Sequence, residues 1–270
     1  MKKAFTLLEI LVVLFILGII ASISSYGLFS LYQNYAINQK NYSLQISTKN
    51  SLSLIRNTLN SAIYSSIALD FKPLDSKPKT LNHQNLNFLI PPKEFIHSKD
   101  FSLPCFSGFF DAKSIKITDI LNLSLSTFSQ DFAAKLNASC KLYKNNNLTM
   151  LLADENFFAP QDFYNPLYQA KILSLNSLQI QAEIPRFLKN SNTTKISPRI
   201  HIFTHEKRLI FSKNHIHLQD DLSKEKIEIL STKDYAFSIA QNKIGIFLKL
   251  CQKEKDYSFC EEDFVLNGEF

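Results

Sequence analysis

The chain begins with Met1-Lys-Lys-Ala-Phe-Thr-Leu-Leu-Glu9, and residues 10–21, which follow, are all apolar or glycine. After Glu9 the next charged side chain is Lys40. The apolar character continues to Leu31, and residues 7–31 are long enough to span ~30 Å of hydrocarbon as a helix. Because a carboxylate inside such a segment costs roughly 2.5–3.5 kcal/mol on insertion scales, we expect Glu9 to have a partner.

The residues from Lys2 to Glu9 resemble the amino-terminal signal of type IV pilins and type II secretion pseudopilins. In that family a prepilin peptidase cuts after a small residue and before Phe, and the new amino terminus is then N-methylated. The resemblance implies cleavage between Ala4 and Phe5 and methylation of the Phe5 amine. It also implies that Glu9, the fifth mature residue, pairs with the Phe5 amine of a neighbouring subunit during filament assembly. Contact of Glu9 with lipid headgroups, or with the amine of its own chain, is the alternative.

The resemblance covers about the first 35 residues, and the sequence departs from the family pattern at two places. Ala4 stands where most members have glycine, and no proline occurs near Tyr26. Two other interpretations remain open, a plain signal anchor and a cleaved secretory signal with a site near Ser22. Glu9 and the apolar residues beyond Ser22 argue against the secretory signal.

Composition describes a globular chain with a mild positive charge. Hydrophobic residues make up 45% of the 270 residues, and the net charge is +6, or +4 without the two leader lysines. The charge is dispersed and gives only a weak indication of an anionic partner. Lys2 and Lys3 predict that the amino end stays in the cytoplasm, which leaves the bulk of the chain in the periplasm.

The four cysteines suggest two disulfides in an oxidising compartment. Four cysteines allow three connectivities, and we favour Cys251–Cys260 and Cys105–Cys140 because the members of each pair are closest in sequence. Free buried thiols are the alternative. The pair near the carboxyl end resembles the disulfide-closed loop of many pilins, and here it would close residues 252–259.

Residues 33–70 contain no proline or glycine, and the apolar positions there recur every three or four residues: Leu52, Ile55, Leu59, Ile63 and Ile67. This spacing predicts a helix continuing beyond the membrane. Short β-rich segments follow, at residues 86–90, 114–125, 148–153, 177–184, 199–204, 208–212, 215–218, 226–230 and 243–250, with hairpin connections expected at Glu206-Lys207 and Lys213-Asn214. Helical pieces are possible around residues 128–136. The predicted fold is α+β and pilin-like, with a long helix packed on an antiparallel sheet.

We therefore expect a leader at residues 1–4, a transmembrane helix at 5–32, a periplasmic helical continuation at 33–70 and a globular α+β domain at 71–270. Motifs of known chemistry are scarce. We weighed a metal site in the clustered histidines, His201, His205, His215 and His217, and calcium ligands in two acidic segments, Asp220-Asp221 and Glu261-Glu262-Asp263. Solvated strand faces and acidic turns explain both, so we predict no metal, no cofactor and no catalytic residues.

Three hypotheses for function follow. The first is a minor pseudopilin or minor pilin in a periplasmic filament that serves type II secretion or natural transformation. Its expected partners are other pilin subunits, the inner membrane, the prepilin peptidase and the inner-membrane assembly platform. The second is a pilin-like module that itself contacts DNA or a secreted protein. The third is a membrane-anchored periplasmic enzyme, which the lack of catalytic motifs disfavours.

Overall fold

A single helix, α1 (Leu7–Asn60), dominates the computed structural model. The structure describes residues 7–92, 95–97, 102–104, 108–109, 115–124, 148–152, 159–176, 179–190, 199–254 and 257–267. At 1.5 Å per residue the 54 residues of α1 extend over about 80 Å. Side chains from Glu9 to Tyr35 are exposed, whereas those from Leu44 onward alternate between exposed and buried. The helix therefore projects from the domain with its amino-terminal half.

The strands of the described residues all pair in antiparallel fashion. They are β1 (Ala68–Leu69), β2 (Lys79–Leu81), β3 (Asn85–Ile90), β4 (Phe95–His97), β5 (Ser102–Pro104), β6 (Gly108–Phe109), β7 (Lys116–Ile117), β8 (Leu121–Ser124), β9 (Thr149–Leu151), β10 (Gln169–Asn176), β11 (Gln179–Ala182), β12 (Arg199–Phe203), β13 (His205–Phe211), β14 (His215–Asp220), β15 (Lys226–Ser231), β16 (Tyr235–Gln241), β17 (Gly245–Glu254) and β18 (Tyr257–Leu266). A short helix, α2 (Arg186–Asn190), and two 3₁₀ turns, Tyr64–Ser66 and Pro160–Tyr164, complete the described elements.

These strands form four sheets. A five-stranded sheet has the order β1-β3-β13-β14-β15, and a four-stranded sheet has the order β18-β17-β16-β2. A seven-stranded sheet has the order β6-β12-β9-β10-β11-β8-β7, and β4 pairs with β5 alone. The α+β class predicted from the sequence is confirmed, because one long apolar helix packs against antiparallel sheets.

The largest core lies between the carboxyl-terminal half of α1 and the five- and four-stranded sheets. Leu52, Ile55 and Leu59 are buried on the helix. Phe211 of the five-stranded sheet stacks on Phe237 of the four-stranded sheet, with 4.8 Å between ring centroids. A fully buried side chain of this size contributes about 1.5–3 kcal/mol, so these contacts fix the helix to the domain.

A second core lies within the seven-stranded sheet, around Met150, Ile180 and Ile200. A smaller cluster joins it to the first, because Leu89 of β3 packs with Phe163 and with Leu151 of β9. The two sheets therefore share a continuous apolar contact.

The helix ends earlier than the sequence predicts. It stops at Asn60, whereas the expected continuation reached residue 70. The Ser61 hydroxyl donates to the carbonyl of Thr58, and the Ile63 amide donates to the carbonyl of Leu89 in β3. The chain thus exchanges helical hydrogen bonds for sheet contacts. Ile63 and Ile67 are nevertheless buried, so the apolar pattern predicted burial correctly and backbone conformation wrongly.

Two further expectations need correction, and several strands were not predicted. Glu206 and Lys207 are not a hairpin connection but lie inside β13, since β12 and β13 belong to different sheets with only Thr204 between them. Lys213-Asn214 is a hairpin turn, as predicted. The acidic run at residues 261–263 lies in strand β18 and not in a turn. The strands β10, β16 and β18 were not predicted. Residues 128–136 lie outside the described residues.

Candidate functional site

The first turn of α1 carries Glu9, the only acidic residue there. A carboxylate at this end of a helix is favoured by the unpaired amide groups and by the helix dipole. Ala4 and Phe5, the expected processing site, lie outside the described residues. The structure therefore describes the Glu9 carboxylate and the helix that carries it, whereas the expected cleavage between Ala4 and Phe5 stays a prediction.

Among the described residues, no part of the domain covers the apolar half of α1. Phe15 is 71% exposed and Leu28 is 67% exposed, and none of the most apolar part of the helix is buried inside the molecule. The helix is long and apolar enough to cross a membrane. Exposed apolar surface of this extent marks a region that lipid or protein covers.

Two glycines on the exposed half lie in open space. A Cβ added at Gly18 or at Gly27 would meet no heavy atom within 4 Å. Contacts with the described part of the chain therefore do not explain either glycine. Small residues on a membrane helix let a neighbouring helix approach closely, so this surface is suited to helix packing between chains.

The last hairpin holds α1 by charge as well as by packing. Arg56 Nη1 lies 3.3 Å from Asp263 Oδ2, and Lys49 Nζ lies 4.0 Å from Glu261 Oε1. Glu262, on the other face of β18, pairs with Lys249 of β17 at 2.7 Å. The acidic side chains weighed as calcium ligands thus serve as ion-pair partners. Successive residues of a strand point to opposite faces, so a strand prediction here would have placed Glu261 and Asp263 on one face and Glu262 on the other.

The same hairpin carries a disulfide. Cys251 of β17 and Cys260 of β18 are register partners with a Cα–Cα distance of 4.0 Å, and the structure joins them. The expected pair is therefore present, but it crosses two strands and does not close a free loop. Cys105 and Cys140 lie outside the described residues, so their pairing stays a prediction.

The four histidines do not converge on one point. His205 Nε2 lies 3.4 Å from Asp220 Oδ2, and His215 stacks on His217 with 5.5 Å between ring centroids. His201 is buried against the Phe163 ring. Among the described residues no three His, Cys, Asp or Glu side chains are placed to hold a metal ion.

A polar cluster that the sequence did not reveal joins strands β3 and β13 of the five-stranded sheet to the turn after β14. Asn87 Nδ2 donates to Glu206 Oε1 at 2.7 Å, and Arg208 Nη2 donates to both carboxylate oxygens of Asp221 at 2.8 Å. Burial raises the pKa of the Glu206 carboxyl, which the bond from Asn87 and the charge of Arg208 partly oppose. Each of these charged groups has a partner, so the cluster is a structural network.

Comparison with known proteins identifies the amino-terminal segment only. Residues 1–25 match the family model described as the prokaryotic N-terminal methylation motif. No curated protein and no solved structure matches the chain. The chain thus carries the type IV pilin and pseudopilin signal at the head of a helix able to serve as a single-pass inner-membrane anchor.

Proposed function

We propose that this chain is a minor pseudopilin or minor pilin, a subunit of a periplasmic type IV-like filament that serves type II secretion or natural transformation. The observation that carries the proposal is the methylation motif at the head of a helix whose apolar half its own domain leaves uncovered. Lys2 and Lys3 favour an amino end in the cytoplasm and a periplasmic domain. The general partners of such a signal are pilin subunits and the prepilin peptidase.

The uncovered helix gives the proposal its mechanism. Lipid covers the apolar side chains of α1 while the subunit is in the inner membrane, and helices of other subunits cover them in the filament. The inner-membrane assembly platform moves the subunit between these states. When the subunit enters the filament, its Glu9 carboxylate pairs with the amine of Phe5 on a neighbouring subunit. Opposite charges attract strongly in a low-dielectric region, so this pair sets the axial register.

The proposal of a minor rather than a major subunit rests on the length of the chain. At 270 residues the chain is longer than the major subunits of the family it resembles. In this proposal the chain acts as a structural subunit, and its ion pairs help to hold the domain on the helix. A domain this large gives the filament a distinct surface where the subunit is inserted.

Complementation of a deletion strain tests the proposal. Glu9→Leu and Glu9→Gln are expected to leave insertion, processing and abundance intact and to abolish filament-dependent secretion or DNA uptake. Val12→Leu, an apolar exchange on the same helix, is the matched control and should complement fully. Immunoblots report abundance and processing. Full complementation by a processed, normally abundant Glu9→Leu chain would contradict the assembly mechanism.

A further inference from the structure

The end of the domain nearest the membrane is defined by the point where α1 enters it. Lys40, Asn41 and Leu44 of α1 line a shallow depression together with Glu254 and Tyr257 of the last hairpin. Further along the helix, Arg56 lies beside Asp263, so β18 runs in the same direction as α1. The tip of the β17–β18 hairpin therefore lies at the membrane-proximal end.

Two other turns lie at this end, joined to the hairpin by backbone hydrogen bonds. The Lys253 amide donates to the Asp234 carbonyl at 3.1 Å, and the Thr232 amide donates to the Asn214 carbonyl at 2.9 Å. The Tyr235 hydroxyl donates to the Ser212 carbonyl at 2.5 Å and fixes the same two turns together. Three turns thus form one surface.

Four lysines mark this surface, and we call it the lysine face: Lys40, Lys213, Lys233 and Lys253. All four are exposed. Among the described residues none of them has a carboxylate within 4.0 Å, whereas Lys49 and Lys249 are paired. Among the described residues of these three turns, the carboxylates are those of Asp234 and Glu254, so the described part of the lysine face carries four positive and two negative charges.

The position of the lysine face relative to the membrane follows from the helix. Tyr26, Tyr32 and Tyr35 are exposed on α1, and tyrosine is enriched where hydrocarbon meets water. From Leu31 to Lys40 the helix rises by about 14 Å. The headgroup layer is roughly 5–8 Å thick on each side of the bilayer. Lys40 therefore lies about 6–9 Å from the headgroups, which is about one Debye length at physiological salt. The tip of the β17–β18 hairpin, which leads to the other turns of the lysine face, packs beside it.

We propose that the lysine face binds anionic phospholipid headgroups of the inner membrane and so holds the domain against the bilayer before assembly. The inference rests on the membrane anchorage in the proposed function. Lysines near an anionic leaflet are attracted to it, and the attraction acts in addition to the helix anchor. Release of these contacts accompanies extraction of the subunit into the filament.

The absence of tryptophan from the sequence allows a direct test. Asn214→Trp places a single tryptophan on the lysine face. Ile244→Trp places a single tryptophan at the opposite end of the domain. That end is identified by Tyr64, which follows the end of α1 and donates a hydrogen bond to the Asn242 carbonyl. Each full-length chain is reconstituted in phosphatidylcholine vesicles with or without phosphatidylglycerol. A headgroup spin-labelled lipid in the outer leaflet quenches nearby tryptophan. Flotation of the vesicles reports anchorage independently.

We expect quenching of the Asn214→Trp chain to be about twofold greater in the anionic vesicles. Raising the salt to about 1 M, where the Debye length falls to ~3 Å, should abolish the difference. Replacing Lys213, Lys233 and Lys253 by Gln should abolish it too. The matched control, Gln at Lys224, Lys226 and Lys243 of the opposite end, should leave it unchanged, and the Ile244→Trp chain should show no difference.

Equal quenching in both vesicle types, in a chain that floats with them, would overturn the lysine-face proposal and leave the anchorage intact. Lysine replacements without effect on quenching would also overturn it, and this result is expected if the face binds a neighbouring subunit instead. A chain that fails to float would overturn both this inference and the membrane anchorage on which it rests.

Discussion

Arg56 on the long helix and Asp263 on the last strand form an ion pair whose closest atoms, Nη1 and Oδ2, lie 3.3 Å apart. The two residues are separated by 207 positions in the sequence. The pair therefore joins two segments that are distant in the sequence and helps to hold β18 beside α1.

The ion pair is partly exposed, so we expect it to contribute modestly to the free energy of unfolding. The side chains of Arg56 and Asp263 are 40% and 26% exposed, which screens their attraction. A double-mutant cycle with Arg56→Met and Asp263→Asn should give a coupling free energy of about 0.2–1 kcal/mol in favour of the pair. Urea unfolding of the full chain in detergent measures it. A cycle at the non-partners Lys49 and Asp263 is the control, and equal coupling in both cycles would contradict a specific pair.

The disulfide between Cys251 and Cys260 should be oxidised in the native protein. Alkylation without reduction, on a chain carrying Cys105→Ser and Cys140→Ser, should leave both cysteines unlabelled. In the same background Cys251→Ser with Cys260→Ser should lower the free energy of unfolding by roughly 2–4 kcal/mol, because the unfolded chain loses a cross-link. Labelling of both thiols in the unreduced protein would refute the bridge.

Gly245 begins β17 where the chain crosses closely over β18. A Cβ at this position would collide with the carbonyl oxygen of Val265 and lie 2.5 Å from the ring of Phe264. Gly245→Ala should therefore destabilise the domain by about 1–3 kcal/mol, since the backbone carbonyl has to move. Thermal unfolding measures the change. Gly27→Ala, which meets open space, is the control, and equal melting temperatures for the two variants would show that the close approach does not constrain residue 245.

Glu206 should make stability depend on pH. Burial raises the pKa of its carboxyl in the folded state above 4.5, so the folded chain binds this proton more tightly than the unfolded chain does. The contribution of Glu206 to stability therefore rises as pH falls through the folded pKa, is complete below 4.5, and is lost as pH rises again. Glu206→Gln should flatten this part of the pH profile. Glu225→Gln in an exposed turn is the control, and an unchanged profile for Glu206→Gln would contradict the raised pKa.

The sequence revealed most where local pattern and burial agree. The periodicity of Leu52, Ile55 and Leu59 predicted the buried face of α1, and alternation predicted β14 and much of β13. The sequence did not predict where α1 ends. The Ile63 amide donates to a carbonyl of β3 instead of to a helical carbonyl, and β3 is distant in the sequence. Propensity describes local preference, and long-range pairing overrides it.

In the candidate site, too, the sequence revealed local features but not those formed by residues distant in the sequence. The apolar helix is a local feature and was identified from the sequence, as was the pairing of Cys251 with Cys260. The role of Glu9 stays a prediction. The cluster of Glu206 and Asn87 was not identified, because it forms between strands that the sequence separates by more than 100 residues. Grouping of the three lysine-bearing turns likewise depends on sheet topology, which spacing alone does not specify.

Mass spectrometry of the amino-terminal peptide, from the protein extracted from its native membranes, tests the central claim most directly. We predict a chain that starts at Phe5 and carries one methyl group on the Phe5 amine. Ala4→Glu should block the cut, because the bulky charged side chain replaces the small residue before it. An intact Met1 in the native chain, or an amino terminus near Ser22, would contradict the proposal that this chain is a pilin-like subunit.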